Sequence, residues 1–395
     1  MKFIRNILDK QKKQFEKGGK LEKFYPAFEA LDTFAFVPNH TAPAKGAHIR
    51  DGVDLKRMMM TVIIAMLPCL LFGIWNVGHQ HFVANGQEAD LWSKLLIGAQ
   101  AVLPIVVVSY AVGLGIEFGF AVAKRHSVNE GYLVSGMLIA LVMPPTVPLW
   151  QVALGTAFAV VLGKEVFGGT GMNVLNVAMT ARAFLYFAYP SQLSGSVWTY
   201  NPPQGYSGAT ALAIAAETSK VHPNSADNTA IVQAFGEPFS FMKLFIGDIP
   251  GSIGETSTLM CLIGAAILIF TAVGSWKIIV SGFAGVYLTG LLLNALAVNE
   301  FMALPAQYHI VMGGVAFGIV FMATDPVTAS QTETGKWIYG FLIGFFTVLI
   351  RVFNPAYPEG IMLAVLLMNI FAPLIDFYVI DANKKRRLKR FKYAV

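Results

Sequence analysis

Apolar runs long enough to cross a lipid bilayer recur along this chain, and the basic residues flanking them fall mainly in alternate gaps. A helix crosses the hydrocarbon core in about 20 residues. In lipid the backbone must satisfy its own polar groups, so such runs become helices. Ten crossings are expected, near residues 58–77, 95–122, 131–143, 150–162, 174–189, 259–273, 278–296, 310–323, 337–352 and 361–380. Hydrophobic residues make up 55% of the 395 and charged ones 13%, against about 25% charged in an ordinary soluble domain.

Charge placement predicts orientation. Lys56 and Arg57 precede the first run, Lys124 and Arg125 follow the second, and Lys164 follows the fourth. Lys277 precedes the seventh, Lys336 the ninth, and Lys384 to Arg390 follow the tenth. With ten crossings all of these share one side, which the positive-inside rule makes the cytoplasm. Arg182 falls inside the fifth run and Arg351 at the outer end of the ninth. Both termini are then cytoplasmic, and the polar stretch between the halves faces outward. The net charge of +6 reads as attraction to anionic lipid rather than to nucleic acid, because the basic residues sit at the ends and beside apolar runs.

A weak internal repeat divides the chain. Met143-Pro144-Pro145-Thr146 ends the third run and Ala323-Thr324-Asp325-Pro326 ends the eighth. Val166-Phe167-Gly168-Gly169 precedes the fifth, and Val352-Phe353-Asn354-Pro355 precedes the tenth. Copies five crossings apart are inverted in the membrane, and broken helices at matching places mark a site near the midplane. The expected fold is an all-α polytopic membrane protein, an inverted five-plus-five repeat with broken helices of the urea-transporter kind. The parts are a cytoplasmic N-terminal arm (1–57), a first transmembrane half (58–190), an outward loop (191–256), a second half (257–380) and a basic cytoplasmic tail (381–395). The arm alternates basic residues with Phe15, Phe24, Tyr25, Phe28, Phe34 and Phe36. It reads either as an interfacial amphipathic segment or as a partner-binding arm over the cytoplasmic mouth. It lacks the apolar core of a signal peptide.

Several chemistries are not encoded. Cys69 and Cys261 lie in separate apolar runs with no CxxC pair, which excludes a zinc or iron–sulfur site from this chain alone. A disulfide between them stays open, although core packing is the commoner fate. The seven histidines include no two facing positions at depth, so haem ligation is not expected. There is no Walker loop and no nucleophile–base constellation. The glycines of Gly113-Leu114-Gly115-Ile116-Glu117-Phe118-Gly119 lie within a run and read as small-residue helix packing. Any redox cofactor must therefore be organic.

Tyr206-Ser207-Gly208-Ala209-Thr210 lies in the outward loop. Residues 211–217 favour a helix, which puts Thr210 near an N-cap where a phosphate is welcome. Ser207-Gly208-Ala209-Thr210 resembles the flavinylation motif of bacterial redox pumps. Further motifs extend the resemblance over nearly the whole chain: Val53 to Arg57, Val128-Asn129-Glu130-Gly131, Lys164 to Gly171, Gly251-Ser252-Ile253-Gly254-Glu255, Ala323 to Pro326 and Asn354 to Gly360. Together they are similar to the membrane-embedded B subunits of sodium-translocating NADH:quinone oxidoreductases, and next to the D subunits of Rnf-type ferredoxin oxidoreductases, whose N-terminal arm is shorter. One departure is Gln204, where the motif has Asp.

The resemblance implies FMN joined to the Thr210 hydroxyl through a phosphoester by a flavin transferase, and a noncovalent riboflavin between the spans near Asn173 and Asn176. It also implies a quinone site near Gly113, beside which Leu114 replaces a family glycine. The implied partners are the periplasmic flavoprotein (C) subunit, the membrane-embedded D and E subunits, the NADH-oxidising F subunit and the A subunit, all in or at the bacterial inner membrane. Carboxylates within spans cost about 2.5–3.5 kcal/mol to insert and are usually functional. Glu117, Asp325 and Asp376 are such candidates, and the resemblance implies a part in sodium uptake. Ion pairing is the plainer role for them. A solute channel without redox function is the rival of a different class.

Overall fold

The structure is a computed structural model that describes residues 2–16, 18–36, 45–46, 55–124, 131–221, 228–354 and 359–393. Val53, Asp54, Arg125, Val128 to Glu130 and Pro355 to Pro358, part of the motifs and charges above, lie outside these residues, as does much of the arm between 37 and 54. Among the described residues there is no strand.

The arm is a pair of helices, α1 (Lys2–Phe15) and α2 (Tyr25–Ala35). Phe15 stacks on Phe28 with ring centroids 4.8 Å apart, and Arg5 bonds Asp32 at 3.1 Å. The first half follows as α3 (Leu55–Ala84), α4 (Leu91–Lys124), α5 (Tyr132–Leu141), α6 (Leu149–Gly163) and α7 (Val177–Ala188). The segment expected to be an outward loop instead folds into a helical cap: α8 (Pro190–Leu193), α9 (Ala211–Val221), α10 (Thr229–Phe235) and α11 (Phe241–Ile246). Apolar side chains such as Trp198, Leu212, Ile231 and Leu244 bury there, and that burial is what holds the cap together.

The second half runs α12 (Thr258–Phe270), α13 (Trp276–Leu296), α14 (Glu300–Ala303), α15 (Ala306–Val311) and α16 (Val315–Phe317), which enters a π turn over Gly318–Met322. It ends with α17 (Glu333–Phe353) and α18 (Ile361–Tyr393). Among the described residues, six helices are long and apolar enough to cross a membrane, and α5, α7 and α12 are shorter apolar helices. The expected crossing at 310–323 is assembled from α15, α16 and the π turn rather than from one rod. The basic tail is not a separate piece, because α18 continues through it with Lys385 paired to Asp381 at 2.7 Å.

α4 packs on α5 and α6, α13 on α15 and α17, α6 on α7 and α17 on α18, whereas the extensive seam of α3 with α4 has no equal between α12 and α13. Across the centre, α3 meets α12 and α7 meets α18. Cys69 and Cys261 face each other in the α3–α12 seam with sulfurs 3.8 Å apart, both buried and free.

The first break has an identifiable cause. Pro144 and Pro145 end α5, and carbonyls freed in apolar surroundings need donors. The segment before α12 supplies them: Gly254 N–H donates to Leu141 O at 2.8 Å and Ile253 N–H to Met143 O at 3.2 Å. Ser257 then caps α12, accepting from Met260 N–H at 3.2 Å.

Candidate functional site

Two cavities open at opposite ends of α3 and α7. The one at the Thr210 end is small, about 40 Å3, and is lined by Trp198, Thr210, Leu212, Ser252, Glu255, Gly314 and Glu359 among others. Thr210 immediately precedes α9, and its Oγ1 accepts from Ala213 N–H at 3.3 Å. That is the N-cap arrangement expected from the sequence. Ser207 is exposed, Gly208 buried, and Ala209 and Thr210 half-buried. Gly208 sits against Thr199, where a Cβ would come within 2.8 Å of the Thr199 hydroxyl. The motif glycine therefore seats the loop while the threonine stays reachable.

Beneath this cavity lies a buried ionic cluster. Arg182 on α7 donates to Glu255 at 2.7 Å and to Glu359 at 2.5 Å. Arg351 on α17 donates to the carbonyls of His309 and Met312, both at 2.7 Å, and of Glu359 at 3.0 Å. The carbonyls of His309 and Met312 lie where the chain breaks between α15 and α16, so a buried guanidinium serves as their donor, and the third bond ties in the segment before α18. The two arginines that did not help to fix the orientation are thus the anchors of the centre. Their partners Glu255 and Glu359 were visible in the sequence only as members of motifs. The signal that could have singled them out is electrostatic: a lone arginine within an apolar run demands a buried acid.

The second cavity, at the opposite end, has a volume of about 90 Å3. It brings together Asn173, Asn176, Lys164, Thr324 and Asp325 from both halves, against Met58, Leu138, Leu268 and Phe321. Asn176 caps α7 by accepting from Met179 N–H at 3.1 Å, and Asn173 donates to Leu175 O at 3.1 Å. Asn176 therefore does satisfy the start of a helix, while both residues also line the cleft. Asp325 accepts from Val327 N–H at 3.2 Å and from the Thr328 hydroxyl at 3.0 Å, which turns the chain out of the π segment.

The remaining candidates are apart. Glu117 on α4 is buried in an ion pair with Lys164, so the lysine expected in a solvated loop is instead only 2% exposed. Each charge offsets the cost of burying the other. Gly113 lies under the ring of Tyr132, which occupies the place of a side chain. Its observed role is the close approach of α4 and α5. Asp376 on α18 accepts from the Ser330 and Thr332 hydroxyls, both at 2.6 Å, and from the N–H groups of Gln331 at 2.8 Å and Thr332 at 3.0 Å. It holds the segment that starts α17. Among the described residues no group of three or more His, Cys, Asp or Glu is placed to hold a metal ion.

By architecture this is a membrane-embedded helical protein of two packed halves with a cavity at each end. Its relatives give the family. The profile of the NQR2, RnfD, RnfE family matches residues 43–385, and the chain belongs to that family. It is 49% identical to the B subunit of the Na(+)-translocating NADH-quinone reductase of Chromohalobacter salexigens, over 98% of this chain and 96% of the relative. The proteins of the same name from Pseudomonas aeruginosa and Yersinia pestis are 48% and 46% identical, each over 98% of this chain and 99% of the relative.

Proposed function

We propose that the chain is the flavin-carrying membrane subunit of a sodium-translocating NADH:quinone oxidoreductase, with FMN on Thr210, riboflavin in the cleft of Asn173 and Asn176, and a quinone as electron acceptor. The observation that carries the proposal is Thr210 itself: a half-buried hydroxyl at the N-terminus of α9, on the wall of a cleft shared with Glu255 and Glu359. The first turn of α9 offers backbone N–H groups to a phosphate. Bound flavins supply reversible electron uptake, which no side chain in either cavity provides.

The protein's own residues have separate tasks. Thr210 fixes the first cofactor by its oxygen. Asn173 and Asn176 offer amides to the edge of the second, with Asp325 beside them. The arm and the end of α4 flank the quinone, with Gly113 acting through the α4–α5 approach. Glu117, Asp325 and Asp376 serve sodium along the way. The chain works within the inner membrane beside the A, C, D, E and F subunits, after a flavin transferase has modified it, with both termini cytoplasmic and Thr210 periplasmic. The relatives' names favour this assignment over an Rnf D subunit, although one family profile covers both.

In-gel fluorescence tests it. The denatured wild-type chain should carry a fluorescent flavin band. Thr210→Val should lose it while the chain stays in the membrane, and Thr210→Ser should keep part. A band that survives Thr210→Val refutes the attachment, and no band in the wild type favours a solute channel.

A further inference from the structure

Asn369 on α18 reaches across to α7 and meets Asn176 at its backbone. Asn369, Asn176 and Tyr339 of α17 are all buried. The neighbours decide which way the Asn369 amide points: the Val365 carbonyl can only accept, and the Asn176 backbone N–H can only donate. Asn369 therefore turns its NH2 group to Val365 O at 3.2 Å and to the Tyr339 hydroxyl at 2.7 Å, and its oxygen accepts from Asn176 N–H at 3.0 Å. That N–H belongs to the N-cap residue of α7, for which the helix itself offers no acceptor. A buried N–H left without an acceptor is costly, and here the acceptor comes from the other half of the molecule.

The bond fixes more than the backbone. Asn176 commits its side-chain oxygen to Met179 N–H at 3.1 Å, and it lines the cleft. With backbone and oxygen both held, its NH2 group is the part left to face the cleft. We infer that Asn369, kept in orientation by Tyr339, is a positioning residue that aims the Asn176 NH2 group at an acceptor edge of the ring bound in the cleft. The inference rests on the riboflavin reading of that cleft and adds the second-half residues that align its donor. A flavin suits such a donor chemically, because carbonyl oxygens and unprotonated ring nitrogens on its polar edge accept hydrogen bonds. Neither Asn369 nor Tyr339 is among the residues that line the cleft, so both act through Asn176.

The affinity of the purified assembled complex for added radiolabelled riboflavin tests this. Asn369→Leu removes the acceptor and should weaken binding about tenfold, with the covalent band at Thr210 intact. Asn369→Asp keeps an oxygen toward Asn176 N–H and should recover much of the affinity. Packing alone predicts no such recovery, since leucine and asparagine are of similar size. Tyr339→Phe loses one bond to the amide and should weaken binding by less, and it decides alone if Asn369→Leu does not accumulate in the membrane. Asn176→Ala removes the donor itself; wild-type affinity in that variant would overturn the riboflavin reading of the cleft, and the inference with it. Weakened binding in Asn176→Ala beside wild-type affinity in the Asn369→Leu and Tyr339→Phe variants that assemble would overturn the inference alone.

Discussion

Arg182 donates to Glu255 Oε2 at 2.7 Å, with both side chains buried. The bond ties α7 of the first half to the segment that enters the second, and the second guanidinium contact, to Glu359 at 2.5 Å, reaches the segment before α18. One side chain therefore clamps both connections at the centre of the molecule.

Removing that clamp takes the guanidinium from the buried Glu255 and from the half-buried Glu359. Breaking a buried ion pair from one side typically costs about 3–5 kcal/mol. Arg182→Met should lower the thermal midpoint of the purified complex and its yield in the membrane. Arg182→Lys should not restore it, because an ammonium is a point charge and cannot fork to two carboxylates. A wild-type thermal midpoint for Arg182→Met would show that the cluster contributes nothing to stability.

Glu117 and Lys164 allow structure and sodium handling to be separated. Each single change, Glu117→Leu or Lys164→Met, takes one member of the ion pair from the other buried charge, whereas the double change removes both. The double variant should be more stable than either single one, since the coupling between contacting residues is not additive. If Glu117 also serves the ion, Glu117→Ala raises the sodium concentration needed for half-maximal quinone reduction at unchanged flavin content. Wild-type sodium dependence in that variant would leave Glu117 with the ion pair alone.

Asp376 and Asp325 should fail differently. Asp376→Ala removes the acceptor for Ser330, Gln331 and Thr332, and bonds to a charged group are worth about 1.5–3 kcal/mol each. Its main effect should be lower heat stability, together with a higher sodium requirement. Asp325→Ala loosens the turn at the cleft and should change sodium dependence, riboflavin content or both. Unaltered sodium dependence in the Glu117, Asp325 and Asp376 alanine variants together would remove these carboxylates from the ion path.

Topology can be read independently of chemistry. A reporter active only in the cytoplasm should work when fused after Arg390 and fail when placed near Ser207. Activity at Ser207 would overturn the count of crossings on which the sidedness rests.

The membrane class, the helical content and the position of the six long apolar helices were legible in the sequence, because bilayer thickness imposes a length on every apolar run. The end of α5 was legible too, since Pro144 and Pro145 forbid the helix to continue. Thr210 was marked by its motif and by the helix-forming residues after it, both of which are local. What the chain order could not reveal was pairing at a distance. Lys164 looked like a loop charge until packing placed it on Glu117, and the cap over Thr210 looked like a loop because its helices are short and hold together only by burying Leu212, Ile231 and Leu244 against other elements. The meeting of Arg182 with Glu255 and Glu359 joins residues 73 and 177 positions apart. Hydrophobic length acts within one segment and is written there. The partner of a buried charge is chosen by which segments the fold brings together, and only the tertiary structure decides that.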